Sequence, residues 1–228
     1  MKILLAVAVA AGTVCASSAN AMTYSYRMVG PKIVVDAVGE IMPNETELMT
    51  QWMVTLPVAI QHMPIAAFVF NSPGGSVLEA KRLAVAIRNA DEHPNTGVAG
   101  GGMCASACVL LWAAGAHKSV APDSRVGVHM TSLSDDASQT SLLLNGMIGR
   151  DLASVGAPAS VVAAAVATPG DSIYWLTPAD FAAWNVNIVD SMPTPIARAS
   201  EFRQAPGMGP VIDDPHSPTA PPLPGGLH

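Results

Sequence analysis

One serine in the chain stands in a setting that invites chemistry. Ser106 occupies the centre of "GGGMCASACVLLWAAG", Gly100 to Gly115, with an alanine and then a cysteine on each side of it. Glycines precede it and an apolar run follows, so a helix is expected to begin there. A serine at a helix N-terminus lies beside free main-chain N–H groups and the positive end of the helix dipole. That setting suits either an ordinary capping serine or a nucleophile. Serine is a weak nucleophile unless a base takes its proton, so the chemical reading needs a partner.

Two other stretches offer the missing parts. "NSPGGS", 71–76, follows a continuous apolar run, "IAAFVFNS". Paired glycines there turn the backbone tightly and leave N–H groups uncovered, as an oxyanion site requires. An ordinary strand–helix turn accounts for the same residues. "RVGVHM", 125–130, places His129 on an otherwise apolar strand. A lone histidine in such a strand is commonly a core residue, and it matters chemically only if it reaches Ser106.

The elements that would position these groups follow from periodicity. Residues 32–41 are rich in β-branched side chains and read as one strand or as two with a turn, 65–72 as a buried strand of parallel type, and 125–130 as another. "TGVAGG" is a short strand running into glycine, and "VNIVDSM" a terminal one. Helical spacing runs over 44–61, where Asn44 or Thr46 can cap and Pro57 ends or kinks the helix. Residues 76–90 read as an amphipathic helix with Leu78, Leu83, Val85 and Ala86 near one stripe. Further helices are expected over 106–114, 138–155, 158–167 and 176–185, the last with a Thr cap and a Pro at its first position. Strands alternating with helices predict an α/β domain with mostly parallel pairing.

In this order the segments resemble the proteolytic subunit of Clp protease and its wider ClpP-like, crotonase-like superfamily, over roughly residues 30–191. "FVFNSPGGSVLEA" resembles the family's strand, oxyanion loop and helix, and "GGGMCASACVLLWAAG" its nucleophile segment. "KSVAPDSRVGVHM" resembles its base segment, with Asp123 in place of an asparagine, and "YWLTPADFAAWNVNIVDSM" its closing segment. The resemblance implies a ClpP/crotonase-like spiral of repeated β-β-α units with a mostly parallel sheet. It implies Ser106 as nucleophile, His129 as base, and the N–H groups of Gly75 and Ala107 as oxyanion hole. Asp171 is the candidate third member, but it precedes Leu176 by five residues where the family has about three. The alternatives are a Ser–His dyad, or Ser172 or a carbonyl holding the imidazole. Asp180 reads instead as a first-turn helix residue.

The implied activity is a serine endopeptidase acting on peptides or unfolded protein segments, with no cofactor and no metal. A catalytically silent peptide-binding or scaffold protein is the alternative reading. A crotonase-type reaction on an acyl thioester, against which export argues, and a Ser–Lys peptidase using Lys118, against which His129 argues, are further alternatives. The segment between His129 and Asp171 is shorter than the family's, which argues against the stacked double ring. Some homo-oligomer through helix 138–155 is compatible with the sequence.

Composition bounds these readings. Half of the 228 residues are hydrophobic, 12% are charged and the net charge is −6, without a basic run, so nucleic acid is not an expected partner. Lys2, the apolar "ILLAVAVAA" and the small-x-small "ANA" at 19–21 read as a signal peptide over 1–21. Export to the periplasm or the exterior follows, and there no cytosolic unfoldase ATPase is available as partner. Cleavage removes Cys15 and leaves Cys104 and Cys108 in an oxidising compartment. Four apart on a helical turn, their Cα atoms would lie about 6 Å apart, within disulfide range; two buried inert thiols are the alternative, and neither cysteine sits where the family places its nucleophile. The domain is expected over 22–192. From 193 to 228 the chain is crowded with proline and glycine and reads as a disordered tail.

Overall fold

The structure is a computed structural model and describes residues 21–131 and 139–190. The predicted signal peptide, apart from its last residue, and the proline-rich tail lie outside the described residues.

The chain runs through β1 (Thr23–Val29), β2 (Lys32–Val38), α1 (Glu45–Thr55), α2 (Val58–Gln61), β3 (Ile65–Asn71), α3 (Val77–Asn89), β4 (Asn95–Val98) and β5 (Met103–Ala105). It continues through α4 (Cys108–Ala113), β6 (Lys118–Val120), β7 (Arg125–Val128), α5 (Gln139–Ser154), α6 (Ala159–Ala167), β8 (Tyr174–Trp175), α7 (Pro178–Ala183) and β9 (Asn187–Ile188). Six strands form one sheet in the order β1-β2-β3-β4-β6-β9, and β5-β7-β8 form a second. Every pairing in the larger sheet beyond β1–β2 is parallel. This is the expected α/β spiral.

The spiral brings three crossings together. After β4 and β6 the chain leaves the large sheet and enters the small one as β5 and β7, which pair in parallel. The residue after β3 makes the same crossing, because Ser72 bridges to Cys104. The segments 72–76, 103–106 and 125–129 therefore lie side by side, and these are the three stretches that carry the candidate chemistry.

Most elements match their sequence signals. Pro57 separates α1 from α2, and the closing helix has a full capping box between Thr177 and Asp180 with Pro178 at its start. Two differences have physical reasons. The buried side of α3 comprises Ala80, Leu83, Ala84 and Ile87, a spacing of three, four and seven, while Leu78 and Val85 are exposed. Glu79 also faces inward, because it accepts from both the N–H and the hydroxyl of Thr46 at the start of α1. The hairpin strand β1 was not expected from its mixed residues. Its signal is the two-residue turn Gly30-Pro31 between two seven-residue strands, with Gly30 at φ 60°.

The core lies between the sheets and their helices. Trp112 is fully buried at its centre, with Trp184 and Phe181 edge-on at 5.3 and 6.5 Å between ring centres. No described helix is long and apolar enough to cross a membrane.

Candidate functional site

Ser106 sits at the turn between β5 and α4 with φ 56°. A side chain other than glycine costs energy in this left-handed region. Neighbouring segments hold it there. Its N–H donates to Gly127 O at 2.9 Å and its carbonyl accepts from Val109 N at 3.0 Å. On the strand before it, Ala105 N donates to Ser72 O at 3.0 Å. The elbow thus hangs between the "SPGG" loop on one side and β7 on the other.

The loop can come this close only because it carries glycine. A Cβ at Gly74 would lie 2.7 Å from the Ser106 Cβ, 2.8 Å from Ala105 O and 3.1 Å from the Ala107 nitrogen. Ile41, on the far side of the loop, donates to Gly74 O at 2.7 Å and accepts from Ser76 N at 2.8 Å. By the alternation of a parallel bridge, this leaves the N–H of Gly75 directed away from Ile41. None of the described hydrogen bonds uses the N–H of Gly75 or of Ala107. Among the described residues, two main-chain donors near the elbow thus have no hydrogen-bond partner.

His129 directly follows β7. The chain beyond it is anchored twice: Met130 N donates to Thr168 O at 2.9 Å, and Thr131 N donates to the Asn145 side chain at 2.6 Å. Ser106, Ala107 and His129 line one small pocket, closed by Val109, Leu110 and Val128 and by Ile148, Leu152 and Ala165 of α5 and α6. Both ring nitrogens are buried, with no hydrogen-bond partner among the described residues. Burial holds the imidazole below the usual histidine value. The main chain at Met130 and Gly170 pulls the other way, without completing a hydrogen bond of normal geometry. A neutral ring at neutral pH is the form that can accept a proton.

Asp171 is not brought to this pocket. It is exposed, and its carboxylate accepts from the Ser172 hydroxyl at 3.2 Å. The buried carboxylate of the closing segment is Asp180, which caps α7 and accepts from Ser160, Tyr174 and Thr177. Lys118 lies on β6 with its ammonium over the Trp184 ring at 5.8 Å, and it does not line the pocket. Cys104 and Cys108 are both fully buried and joined as a disulfide, with Cα atoms 5.3 Å apart. Among the described residues, no group of three or more His, Cys, Asp or Glu could hold a metal ion.

The positioning of Asn145 was not visible in the sequence. It lies within a helix, and only the folded chain shows that its amide holds the strand end after the histidine.

Comparison with known proteins adds to this geometry. A family model described as Clp protease matches residues 17–142, more than half of the chain. Among solved structures, ClpP1 from Listeria monocytogenes is similar at 17% identity and a TM-score of 0.52, covering 67% of this chain and 88% of that one. The ClpP protease catalytic domain from Plasmodium falciparum matches at 17% identity and a TM-score of 0.49, covering 70% of this chain and 85% of that one. No curated protein matches the sequence. At its identity, the Listeria structure bears on the fold alone.

Proposed function

Because the chain belongs to the Clp protease family, we propose that it is an exported, ATP-independent serine peptidase that cleaves peptides or unfolded protein segments. The observation that carries this reading is the pocket shared by Ser106, Ala107 and His129, with the N–H groups of Gly75 and Ala107 unused by any hydrogen bond among the described residues. Ser106 Oγ attacks the scissile carbonyl while a ring nitrogen of His129 takes its proton. The N–H groups of Gly75 and Ala107 receive the developing oxyanion. His129 returns the proton to the leaving amine, and water then releases the acyl group by the reverse sequence. The Ser–His contact closes when substrate fills the pocket, since such bonds are commonly long in the free enzyme. The imidazole works without a carboxylate, as a dyad.

A fluorophosphonate probe tests the reading. Labelling of the wild type, lost in Ser106→Ala, is the expected result; labelling that survives the substitution would remove Ser106 from the mechanism. Turnover of an unstructured peptide should fall by about a thousandfold or more in the same variant. Export predicts that protein recovered from the cell envelope begins at Met22, which N-terminal sequencing reads directly.

The exposed position of Asp171 favours a second reading, a silent peptide-binding or scaffold domain. In that case neither labelling nor turnover occurs in the wild type, and peptide binding is the same in Ser106→Ala. A homo-oligomer through α5, where Leu143 is 69% exposed, fits either reading.

A further inference from the structure

We propose that the Cys104–Cys108 disulfide is a positioning brace for Ser106, so that the oxidised chain is the form in which the elbow is held ready. The proposal takes Ser106 as the nucleophile and so rests on the reading above, but the brace itself is a statement about the elbow's conformation.

The residue at the centre of the bridged segment is the one that most needs holding. Ser106 is in the left-handed region at φ 56° without being glycine. Cys104 belongs to β5, paired with Val126 of β7 and bridged to Ser72 of the glycine loop. Cys108 is the first residue of α4. The bridge therefore ties the strand that enters the elbow to the helix that leaves it, across Ala105, Ser106 and Ala107. Among the described residues, two main-chain hydrogen bonds hold Ser106 itself, one to Gly127 and one from Val109. Ala107 follows directly, and its N–H has to stay aimed at the same point as that of Gly75. A covalent tie of five residues restricts the unbridged conformations available to this turn, while adding little to the constraint on the whole chain.

Both sulfurs are fully buried, so a reductant the size of a protein does not reach them in the folded domain. The brace is set when the chain folds under oxidising conditions. Its reversal needs a small dithiol: two electrons and two protons convert the disulfide to the thiols of Cys104 and Cys108, and the dithiol leaves as its own disulfide.

The experiment compares oxidised wild type, wild type reduced with dithiothreitol at the foot of its urea transition and returned to buffer under reductant, and the double variant Cys104→Ala/Cys108→Ala. Hydrogen exchange followed by mass spectrometry should show residues 103–112 exchanging about tenfold faster in the reduced and variant forms, with the large sheet unchanged. Fluorophosphonate labelling should slow by a similar factor, with kcat reduced and KM for a peptide nearly constant. Unchanged exchange over 103–112 in reduced wild type would overturn the brace, as would labelling at the oxidised rate. If the double variant does not fold, the reduced wild type carries the comparison. If oxidised wild type is not labelled at all, the peptidase reading fails and the exchange data still decide the brace.

Discussion

At the scale of single residues, Ser106 combines a reactive group with an unfavourable backbone conformation. Its φ of 56° suits glycine better than alanine, so Ser106→Gly should be more stable than Ser106→Ala. A difference of about 1 kcal/mol in urea unfolding is expected, and equal stabilities would mean that the turn relaxes away from the left-handed region. His129 makes a prediction in pH. Burial lowers its value, so the neutral base persists below the ordinary histidine range near ~6.5. Labelling by a fluorophosphonate should therefore be flat across neutral pH and decline only as the medium falls below that range. A decline centred above it would show a charged partner facing the ring. The same shift subtracts stability as pH falls from the ordinary value through the folded one, because the unfolded chain then binds the extra proton. Ser106 and His129 were both legible as candidates, since small residues around a serine and a lone histidine on an apolar strand are visible in one dimension. The spacing before Leu176 already put Asp171 in doubt as the third member, and the structure leaves it exposed and outside the lining of the Ser106–His129 pocket.

At the scale of elements, the site depends on three chain crossings lying in register. Gly74 is the contact between two of them. Gly74→Ala would drive a Cβ to within 2.7 Å of the Ser106 Cβ, at a φ of 107° that disfavours a side chain in any case. It should cost about 1–3 kcal/mol and suppress labelling, because the loop must retreat from the elbow; a crystal structure of the variant with an unmoved elbow would refute this. Asn145 does the equivalent service for the base. Its amide bonds the main chain of Thr131, two residues beyond His129. Asn145→Ala should cost about 1–3 kcal/mol by leaving that main chain unpaired, and should lower turnover through misplacement of the imidazole. Asn145→Asp, which keeps the acceptor for Thr131 N, should recover most of the activity above the carboxylate's titration range. The motif "SPGG" was readable as a tight turn next to a strand. Its approach to Ser106 is a long-range contact between positions about thirty residues apart, and periodicity carries no information on such pairs. The phase of α3 shows the same limit: Leu78 and Val85 looked inward by hydrophobicity, yet Glu79 takes an inward place because Thr46 satisfies it.

At the scale of the whole molecule, the closing segment locks the spiral. Asp180 holds Thr177, Ser160 of α6 and Tyr174 of β8 together. Burial alone would raise its carboxyl, but the hydrogen bonds it accepts outweigh that and hold it below the ordinary aspartate range. The sign follows directly. Its contribution to stability is complete above the unfolded value near ~4 and drains away as pH falls through the lower folded value. Asp180→Ala should lose about 1–3 kcal/mol at neutral pH, and the gap from wild type in thermal melts should narrow below pH ~4. A gap that persists undiminished into strong acid would mean that the carboxylate's charge has no part in it.

The α/β class, the extent of most helices and the two main reactive side chains are properties of the sequence itself. They follow from hydrophobic period, from proline and capping residues, and from a small-residue setting around one serine. The tertiary structure decided which of these groups meet. Parallel pairing between β5 and β7, and the bridge from Ser72 to Cys104, bring residues far apart in the chain to one pocket. The same packing leaves Asp171 outside it and joins Cys104 to Cys108. Those outcomes depend on which strand lies beside which and in what register, and the physics that chooses among registers is burial across the whole core rather than the preference of any local stretch.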